Sequence, residues 1–171
     1  MYVIANERRQ DADEIETLLD RAFGADRHAK TSYRLREGVA PIDALCFTGR
    51  ADGVLKATIR YWPVSIAGQE ALLLGPLAIE PAERGKGYGV ALMWHSLAAA
   101  RALGHRLVIL VGDPEYYERF GFRRAVAERL VLPGPVEARR FLGLELAPGA
   151  ARGLKGAVEK SRSDLAYRRT A

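Results

Sequence analysis

Three glycines in one short run are the residues whose type and spacing most clearly indicate chemistry. The run reads AERGKGYGVAL, and its glycines are Gly85, Gly87 and Gly89. It follows an apolar, strand-like stretch and stands where a helical pattern begins. Glycine lets the backbone approach a ligand closely, and the free N–H groups at a helix start bind anions. The run therefore predicts a site for a phosphate-bearing ligand.

The spacing of these glycines excludes two common nucleotide-binding motifs. A Walker loop needs a further glycine separated by four residues from its Gly-Lys pair and a Ser or Thr directly after that pair, where this chain has Glu80 and Gly87. A dinucleotide fingerprint needs G-x-G-x-x-G in an early βαβ unit. This chain has G-x-G-x-G after a run of predicted antiparallel strands, so neither motif applies.

The elements that must position this run are helices followed by strands. An apolar stripe from Asp11 to Phe23 predicts a helix with Asp11 as its N-cap, and a more polar helix is expected from Arg27 to Arg36. Gly75-Pro76 predicts a bend inside a strand, because proline lacks a ladder N–H and glycine marks bulges. Strands are predicted at 2–5, 44–50, 54–66, 70–79, 107–111 and 141–146, with helices at 87–103 and from 114.

The composition is that of one soluble, cytoplasmic domain spanning residues 1–171, with no membrane segment. The single cysteine, Cys46, excludes an internal disulfide, and no metal site is expected. The net charge of +5 leaves room for an anionic partner. Basic residues are densest in 150–171, a segment expected to be a loosely attached tail. Nucleic-acid binding is not expected, because no aromatic residues alternate with the basic ones.

The run from Arg84 to Gly89 matches the R/Q-x-x-G-x-G/A pyrophosphate loop, and the chain resembles the GNAT superfamily of N-acetyltransferases. The predicted order of elements is that family's over roughly residues 1–146. The motif GDPxYYxRFGF, at 112–122, resembles that of an uncharacterised bacterial subgroup of this superfamily. The resemblance implies an α/β (α+β) GNAT fold. Its mixed, mostly antiparallel central sheet would be splayed between the fourth and fifth strands and flanked by helices.

This resemblance implies acetyl-CoA as cosubstrate. The pyrophosphate would lie on the N–H groups of the glycine loop, and the pantetheine arm would lie in the splay. A backbone N–H near Leu77 or Ala78 would bind the thioester oxygen. The residues implied to bind the cosubstrate are Leu77, Ala78, Ile79, Arg84, Gly85, Lys86, Gly87, Tyr88, Gly89 and Val90.

The resemblance also implies a catalytic tyrosine. The family places it five residues before the Phe of a terminal Gly-Phe, and counting back from Phe122 gives Tyr117, with Tyr116 as its neighbour. A phenol can protonate a leaving thiolate. The fourth strand carries no acid of its own, so the weak candidates for a general base are Glu70, Glu80 and His95.

The implied reaction is direct attack by a primary amine of a small molecule or peptide, held by residues 23–36 and the last strands. One alternative is a catalytically silent sensor or partner module that binds acyl-CoA. Another is a nucleic-acid-binding protein that uses the basic tail. The acceptor, the general base, the oligomeric state and the role of the tail stay open, with a homodimer as one option.

Overall fold

The computed structural model describes residues 1–161, and its elements follow the predicted order. The helices and strands are β1 (Tyr2–Asn6), α1 (Ala12–Phe23), α2 (Thr31–Arg34), β2 (Phe47–Ala51), β3 (Val54–Ile66), β4 (Gln69–Ile79), α3 (Tyr88–Ala102), β5 (Leu107–Val111), α4 (Pro114–Tyr117), α5 (Arg124–Ala127), β6 (Leu130–Val131), β7 (Phe141–Glu145) and β8 (Gly156–Lys160).

The central sheet is mixed and mostly antiparallel. Its strand order is β1-β2-β3-β4-β5-β7, and along this path only β4 and β5 pair in parallel. Their pairing covers Leu72 with Val108 and Leu73 with Ile109, after which the two strands separate. The predicted sheet, splayed between its fourth and fifth strands, is confirmed.

The bend in β4 lies where Gly75-Pro76 predicts it. Ile59 pairs with Leu77, but Tyr61 pairs with Leu74, so β4 carries one extra residue between these two pairs. Gly75 has φ +134°, a conformation that favours glycine. This bulge turns the second half of β4 away from β5.

Helices flank both faces of the sheet. The buried face of α3, which includes Leu92, Met93 and Leu97, packs in the same core cluster as Leu77. Helix α1 buries Ile15, Leu18 and Leu19 against a cluster that contains Ala78. Neighbouring residues of a strand point to opposite faces, so Leu77 faces α3 and Ala78 faces α1. Within residues 1–161, none of the helices has the length and apolar character that crossing a membrane requires.

Asp11 does not cap α1 as predicted. Its carboxylate accepts hydrogen bonds from the backbone N–H of Arg8 (2.8 Å) and from the guanidinium of Arg50 (3.0 Å). These donors occupy its oxygens, and its side chain makes no capping bond to α1. Asp11 instead joins the start of α1 to β2.

The predicted helix from Arg27 to Arg36 is wrong over most of its length. A 3-10 turn covers Arg27–Ala29, and α2 covers Thr31–Arg34. Lys30 is extended between them (φ −65°, ψ 144°), which interrupts the helix. Arg27 is buried and forms ion pairs with Glu16 and Asp20 of α1, so a tertiary contact overrides local propensity.

The expected loose attachment from residue 150 is also wrong for residues 156–160. They form β8, which pairs with β3 through Val64, Ser65 and Ile66. The pairing of β2 with β3 ends at Ile59, so this edge of β3 lies open further along, and β8 covers it. The basic residues from Arg162 onward lie outside the described residues. A single domain over the whole chain stays a prediction.

Candidate active site

One cavity of ≈ 670 Å³ connects the glycine-rich loop with the gap between β4 and β5. The loop, the second half of β4 and the start of α4 all contribute to its wall. Of the residues predicted for the site, those that line it are Leu77, Ile79, Arg84, Gly85, Gly87, Tyr88, Gly89, Val90 and Tyr117. The predicted residues Ala78 and Lys86 do not line it.

The glycine loop leaves several backbone donors free for a ligand. Gly85 (φ +88°) and Gly87 (φ +86°) adopt left-handed conformations, and Gly87 is the N-cap of α3. Ala91 N–H bonds to the carbonyl of Gly87 at 3.0 Å and so starts the helical pattern. The N–H groups of the first helical residues, 88–90, precede that bond and have no intrahelical acceptor. The loop therefore fits a pyrophosphate group, which accepts hydrogen bonds at a positive helix end.

Gly89 is required for close packing at the same place. A Cβ on Gly89 would lie 2.7 Å from Cδ1 of Ile79 and 2.8 Å from the hydroxyl of Tyr116. A side chain at this position would force β4 and α4 away from the helix start. The third glycine thus holds the loop against the two other walls of the cavity.

Tyr2 anchors the start of α3, which the sequence alone did not indicate. Its ring stacks on Tyr88 with 4.4 Å between ring centroids, and its hydroxyl donates to the Tyr88 carbonyl at 3.1 Å. Its ring also lies over Gly49, where no side chain would fit. Burial, with Tyr88 and Tyr116 nearby, raises the pKa of Tyr2, so its hydroxyl stays a donor.

Arg84 and Lys86, the two basic residues of the loop, have different surroundings. Lys86 forms an ion pair with Glu83, which also binds Lys56 at 2.8 Å. The hydrogen bonds from Lys56 and Lys86 lower the pKa of Glu83 to about 2. Arg84 lines the cavity and has no ion pair among residues 1–161. Arg84 is therefore the better placed charge for an anion, because Lys86 is already paired with Glu83.

Beyond the bulge, alternate backbone N–H groups of β4 point to β3, and the ones between them point into the gap between β4 and β5. Glu80 N–H donates to the carbonyl of Lys56 in the strand β3 at 2.7 Å. Because N–H groups alternate sides along a strand, Ala78 N–H also points to β3. The N–H groups of Leu77 and Ile79 then point into the gap. Of the two positions suggested for binding the thioester oxygen, the geometry favours Leu77 over Ala78.

Tyr117 lies between the end of β5 and the cavity. Its ring packs on Gly112, and its backbone N–H bonds to the carbonyl of Asp113 at 3.1 Å. Burial, and then Tyr116 and Asp113, raise the pKa of Tyr117 above its ordinary value. The phenol therefore keeps its proton at neutral pH and can donate it.

Tyr116 occupies a different place from its neighbour. The two rings are nearly perpendicular (87°), with centroids 5.0 Å apart. The hydroxyl of Tyr116 lies next to Gly89, at the start of α3. Tyr116 therefore faces the predicted phosphate end of the cavity, whereas Tyr117 lies at the end of β5.

The suggested general bases do not line either cavity. Glu80 binds Arg21 at 2.7 Å, and His95 is exposed on α3 with its ring against Phe47. Glu70 lies near the start of β4, far along the strand from the bulge. None of these three side chains contributes to the cavity walls, so the structure does not favour them as bases.

A second cavity of ≈ 480 Å³ adjoins the first on the side of α1 and α2. Both cavities are lined by Arg27, Tyr33, Arg36 and Pro76, so these residues mark their junction. The second cavity also includes Trp62 of β3. Its location agrees with the acceptor region expected around residues 23–36. Trp62 carried no signal in the sequence, since it belongs to no local motif, and Arg36 was included only as the last residue of the expected region.

The chain is similar to known acetyltransferases. Residues 12–122 match the family model described as Acetyltransferase (GNAT) family. The uncharacterized N-acetyltransferase YhbS of Escherichia coli (strain K12) is 32% identical over 151 residues, covering 87% of this chain and 90% of the relative. The uncharacterized N-acetyltransferase YjhQ from the same strain is 27% identical over 125 residues, covering 71% and 69%.

Two crystal structures extend this similarity to the fold. YhbS from Escherichia coli in complex with CoA has a TM-score of 0.79 at 30% identity and covers 96% of this chain and 92% of its own. A GNAT family acetyltransferase from Brucella melitensis in complex with acetyl-CoA has a TM-score of 0.70 at 28% identity, covering 96% and 98%.

Proposed function

The chain belongs to the acetyltransferase (GNAT) family, and on that premise we propose that it transfers the acetyl group of acetyl-CoA to a primary amine by direct attack. It is an acetyl-CoA-dependent acyltransferase of the N-acetyltransferase class. Two of its structural relatives bind CoA or acetyl-CoA. The finer points, which are the acceptor, the attack and the residue roles, are proposals.

One observation supports the proposal most directly. A single cavity is lined by the glycine loop, by the second half of β4 and by Tyr117. An acetyl donor whose pyrophosphate binds at the glycine loop can extend along the open edge of β4 as far as Tyr117. A second cavity meets the first at the bulge, which provides an entry for an acceptor from the side of α2.

We assign binding of the cosubstrate to the loop and β4. The N–H groups of Tyr88, Gly89 and Val90, with Arg84, would hold the pyrophosphate. The open N–H groups of Leu77 and Ile79 would pair with the pantetheine arm and the thioester. Acetyl-CoA supplies an activated acetyl group at the gap. The fit rests on free donors and on glycines whose replacement would fill the space.

In the chemical step, the chain supplies a hydrogen-bond donor and an acid. Leu77 N–H is proposed to stabilise the negative charge that develops on the thioester oxygen. Tyr117 is proposed to give its proton to the leaving sulfur, since its phenol is protonated at neutral pH and lines the same cavity as Leu77. Cytoplasmic location and a homodimer remain predictions of the sequence alone.

The test is an assay with purified protein, acetyl-CoA and a panel of amines and peptides. Release of CoA thiol that depends on the acceptor, together with an acetylated product in the mass spectrum, is the expected result. CoA binding should be measured on the same sample by calorimetry. Binding without release for any acceptor would instead favour a sensor or partner module, and absence of CoA binding would refute the proposal.

A further inference from the structure

Arg36 is a buried cation at the junction of the two cavities. Its side chain is 8% exposed and lines both of them. Its Nε has no hydrogen-bond partner among the described residues. No carboxylate within residues 1–161 forms an ion pair with it. After burial, the group that influences its pKa most is the Tyr33 phenol, which is uncharged at neutral pH, and Arg60 and Arg27 are the cations that act on it. A buried charge without an anion is costly, so its presence here calls for a partner.

Two neighbouring arginines of low exposure near this junction are paired with carboxylates. Arg27 is paired with Glu16 and Asp20, and Arg60 is paired with Glu7 at 2.8 Å. The chain therefore neutralises neighbouring buried guanidinium groups with its own carboxylates. Arg36 has no carboxylate partner within residues 1–161, although it lines the second cavity together with Arg27 and Arg60.

Aromatic rings hold the guanidinium of Arg36 in place. Its central carbon lies 4.6 Å from the ring centroid of Tyr33 and 5.7 Å from that of Trp62. Such contacts stabilise a cation without neutralising it. Burial lowers the pKa of Arg36 to about 10, so the group is still charged at neutral pH. The side chain is thus fixed, charged and able to accept an anion.

Further positive charge lies at the same end of the main cavity. Lys30, Arg36 and Arg140 all line this cavity. Burial, and then Arg140 and Arg36, lower the pKa of Lys30, whereas Asp26 raises it. Arg140 has an ion pair with Asp113 (3.3 Å), and Lys30 lies over the ring of Phe23. An anion in this region would meet net positive charge.

The position of Arg36 relates this charge to the reaction centre. Its Nη2 lies 2.8 Å from where a Cβ of Gly75 would be. Leu77, whose N–H faces the gap, is two residues further along the strand, or about 7 Å. An anion bound by Arg36 therefore lies within a few bonds of an amine that reaches the thioester.

We propose that Arg36 binds the carboxylate of the acceptor, and that the acceptor is a small amino acid whose carboxylate and reacting amine are a few bonds apart. A guanidinium matches a carboxylate because it can donate two parallel hydrogen bonds. This inference rests on the proposed acetyl transfer. It excludes simple alkylamines as preferred acceptors.

The step balances with the groups present. The neutral amine nitrogen forms a bond to the acetyl carbon, the C–S bond breaks, and its electron pair goes to sulfur. Sulfur takes the proton of Tyr117, and the proton lost by the nitrogen passes through water to restore the phenol. The products are an N-acetyl amino acid and CoA.

The first experiment measures binding of product analogues to the CoA-loaded protein. Calorimetric titrations would use N-acetylglycine, N-acetyl-β-alanine and 4-acetamidobutanoate, with uncharged N-methylacetamide as reference. At least one carboxylate should bind about 10- to 100-fold more tightly than the reference, as expected for a charged hydrogen-bonded pair. If none of the three binds more tightly than N-methylacetamide, the inference is wrong, whatever the variants show.

Variants then locate the effect. Arg36→Gln should lose the preference for carboxylates over N-methylacetamide while keeping its affinity for CoA. Arg36→Lys should keep only part of that preference. Arg129→Gln is the matched control, because Arg129 is exposed and lines neither cavity. A preference that survives in both Arg36 variants would overturn the assignment. CoA binding without carboxylate preference would count against this inference alone, whereas absence of CoA binding would count against the proposed function.

A second experiment compares the steady-state kinetics of amines with and without a carboxylate. Glycine, β-alanine and 4-aminobutanoate would be paired with methylamine, ethylamine and propylamine. The expected result is a kcat/KM at least about 10-fold higher for a carboxylate-bearing amine in the wild type, reduced to near parity by Arg36→Gln. Higher turnover of the alkylamines in the wild type would contradict the inference.

Discussion

The indole Nε1 of Trp62 donates a hydrogen bond to the carbonyl oxygen of Gly75 at 2.6 Å. This bond connects β3 to the bulge at which β4 leaves β5. The carbonyl of a bulged residue is outside the regular ladder, so it needs a partner of this kind. Trp62 also lies against Arg36, and therefore one side chain supports both the bent strand and the wall of the second cavity.

Trp62→Phe removes the donor and keeps an aromatic ring beside Arg36. The Gly75 carbonyl would lose its bond, so the free energy of unfolding should fall by about 1–2 kcal/mol. We expect kcat to decrease severalfold because Leu77 N–H follows the bulge directly. Urea denaturation and steady-state kinetics measure the two effects. Trp94→Phe is the control, since Trp94 is half exposed on α3, and an equal loss of activity there would contradict the prediction.

Tyr117→Phe should reduce kcat by about 100-fold or more, which is the usual contribution of a general acid. Affinity for acetyl-CoA should change little, because the hydroxyl is not placed at the phosphate end. Kinetics with calorimetry of CoA binding separate the two quantities. Tyr116→Phe is the matched control, and it should act mainly on CoA affinity because its hydroxyl lies beside Gly89. Unchanged kcat in Tyr117→Phe would remove this residue from the mechanism.

The pH dependence of kcat provides a separate check on Tyr117. Burial raises its pKa above the ordinary value of about 10. The acid form is therefore present throughout the neutral and mildly alkaline range. We expect no decrease of kcat between about pH 7 and pH 10 that depends on this phenol. A decrease in that interval that disappears in Tyr117→Phe would show that the phenol ionises earlier.

Gly87→Ala should weaken CoA binding. Its φ of +86° is unfavourable for alanine, and the added methyl group would lie at the loop that we assign to pyrophosphate. Gly68→Ala is a close control, because Gly68 has φ +80° and a Cβ at either position meets nothing within 4 Å. Both should lose about 1–2 kcal/mol of stability, but only Gly87→Ala should raise the Kd for CoA. Equal Kd values would argue against the loop as the binding site.

Asp11→Asn tests the contact that joins α1 to β2. Burial disfavours the carboxylate, but hydrogen bonds from Arg8 and Arg50 outweigh it and hold the pKa of Asp11 below its usual value. A lowered pKa means that the stabilisation is present above about pH 4 and is lost as pH falls through the folded-state pKa. The variant should be about 2 kcal/mol less stable at pH 7, with a smaller difference near pH 3.

Urea denaturation at the two pH values measures this difference. Asp13→Asn is the control because Asp13 is exposed on α1 and its side chain has no ion pair among residues 1–161. A difference for Asp11→Asn that grows towards acid pH would show that the sign of the effect is wrong.

Much of the fold was predictable because its signals are local. The bulge at Gly75-Pro76 and the splayed sheet follow from residue types that restrict their own backbone. The interruption of the helix predicted from Arg27 to Arg36 could not be predicted, because it arises where Arg27 pairs with carboxylates on another helix. Strand β8 was missed for a similar reason, since its partner is an edge of β3 about ninety residues earlier in the chain.

The sequence by itself indicated the donor end of the proposed site, because glycines at 85, 87 and 89 permit left-handed backbone conformations and a close approach of the backbone to a ligand. Only the tertiary structure decided that Lys86 is already paired, that Leu77 rather than Ala78 faces the gap, and that Tyr2 supports the start of α3. The same holds for Arg36, because only the folded positions of the neighbouring charges show that no carboxylate within residues 1–161 pairs with it. Local backbone preferences are determined by adjacent residues, whereas burial and charge pairing depend on residues that come into contact only in the folded chain.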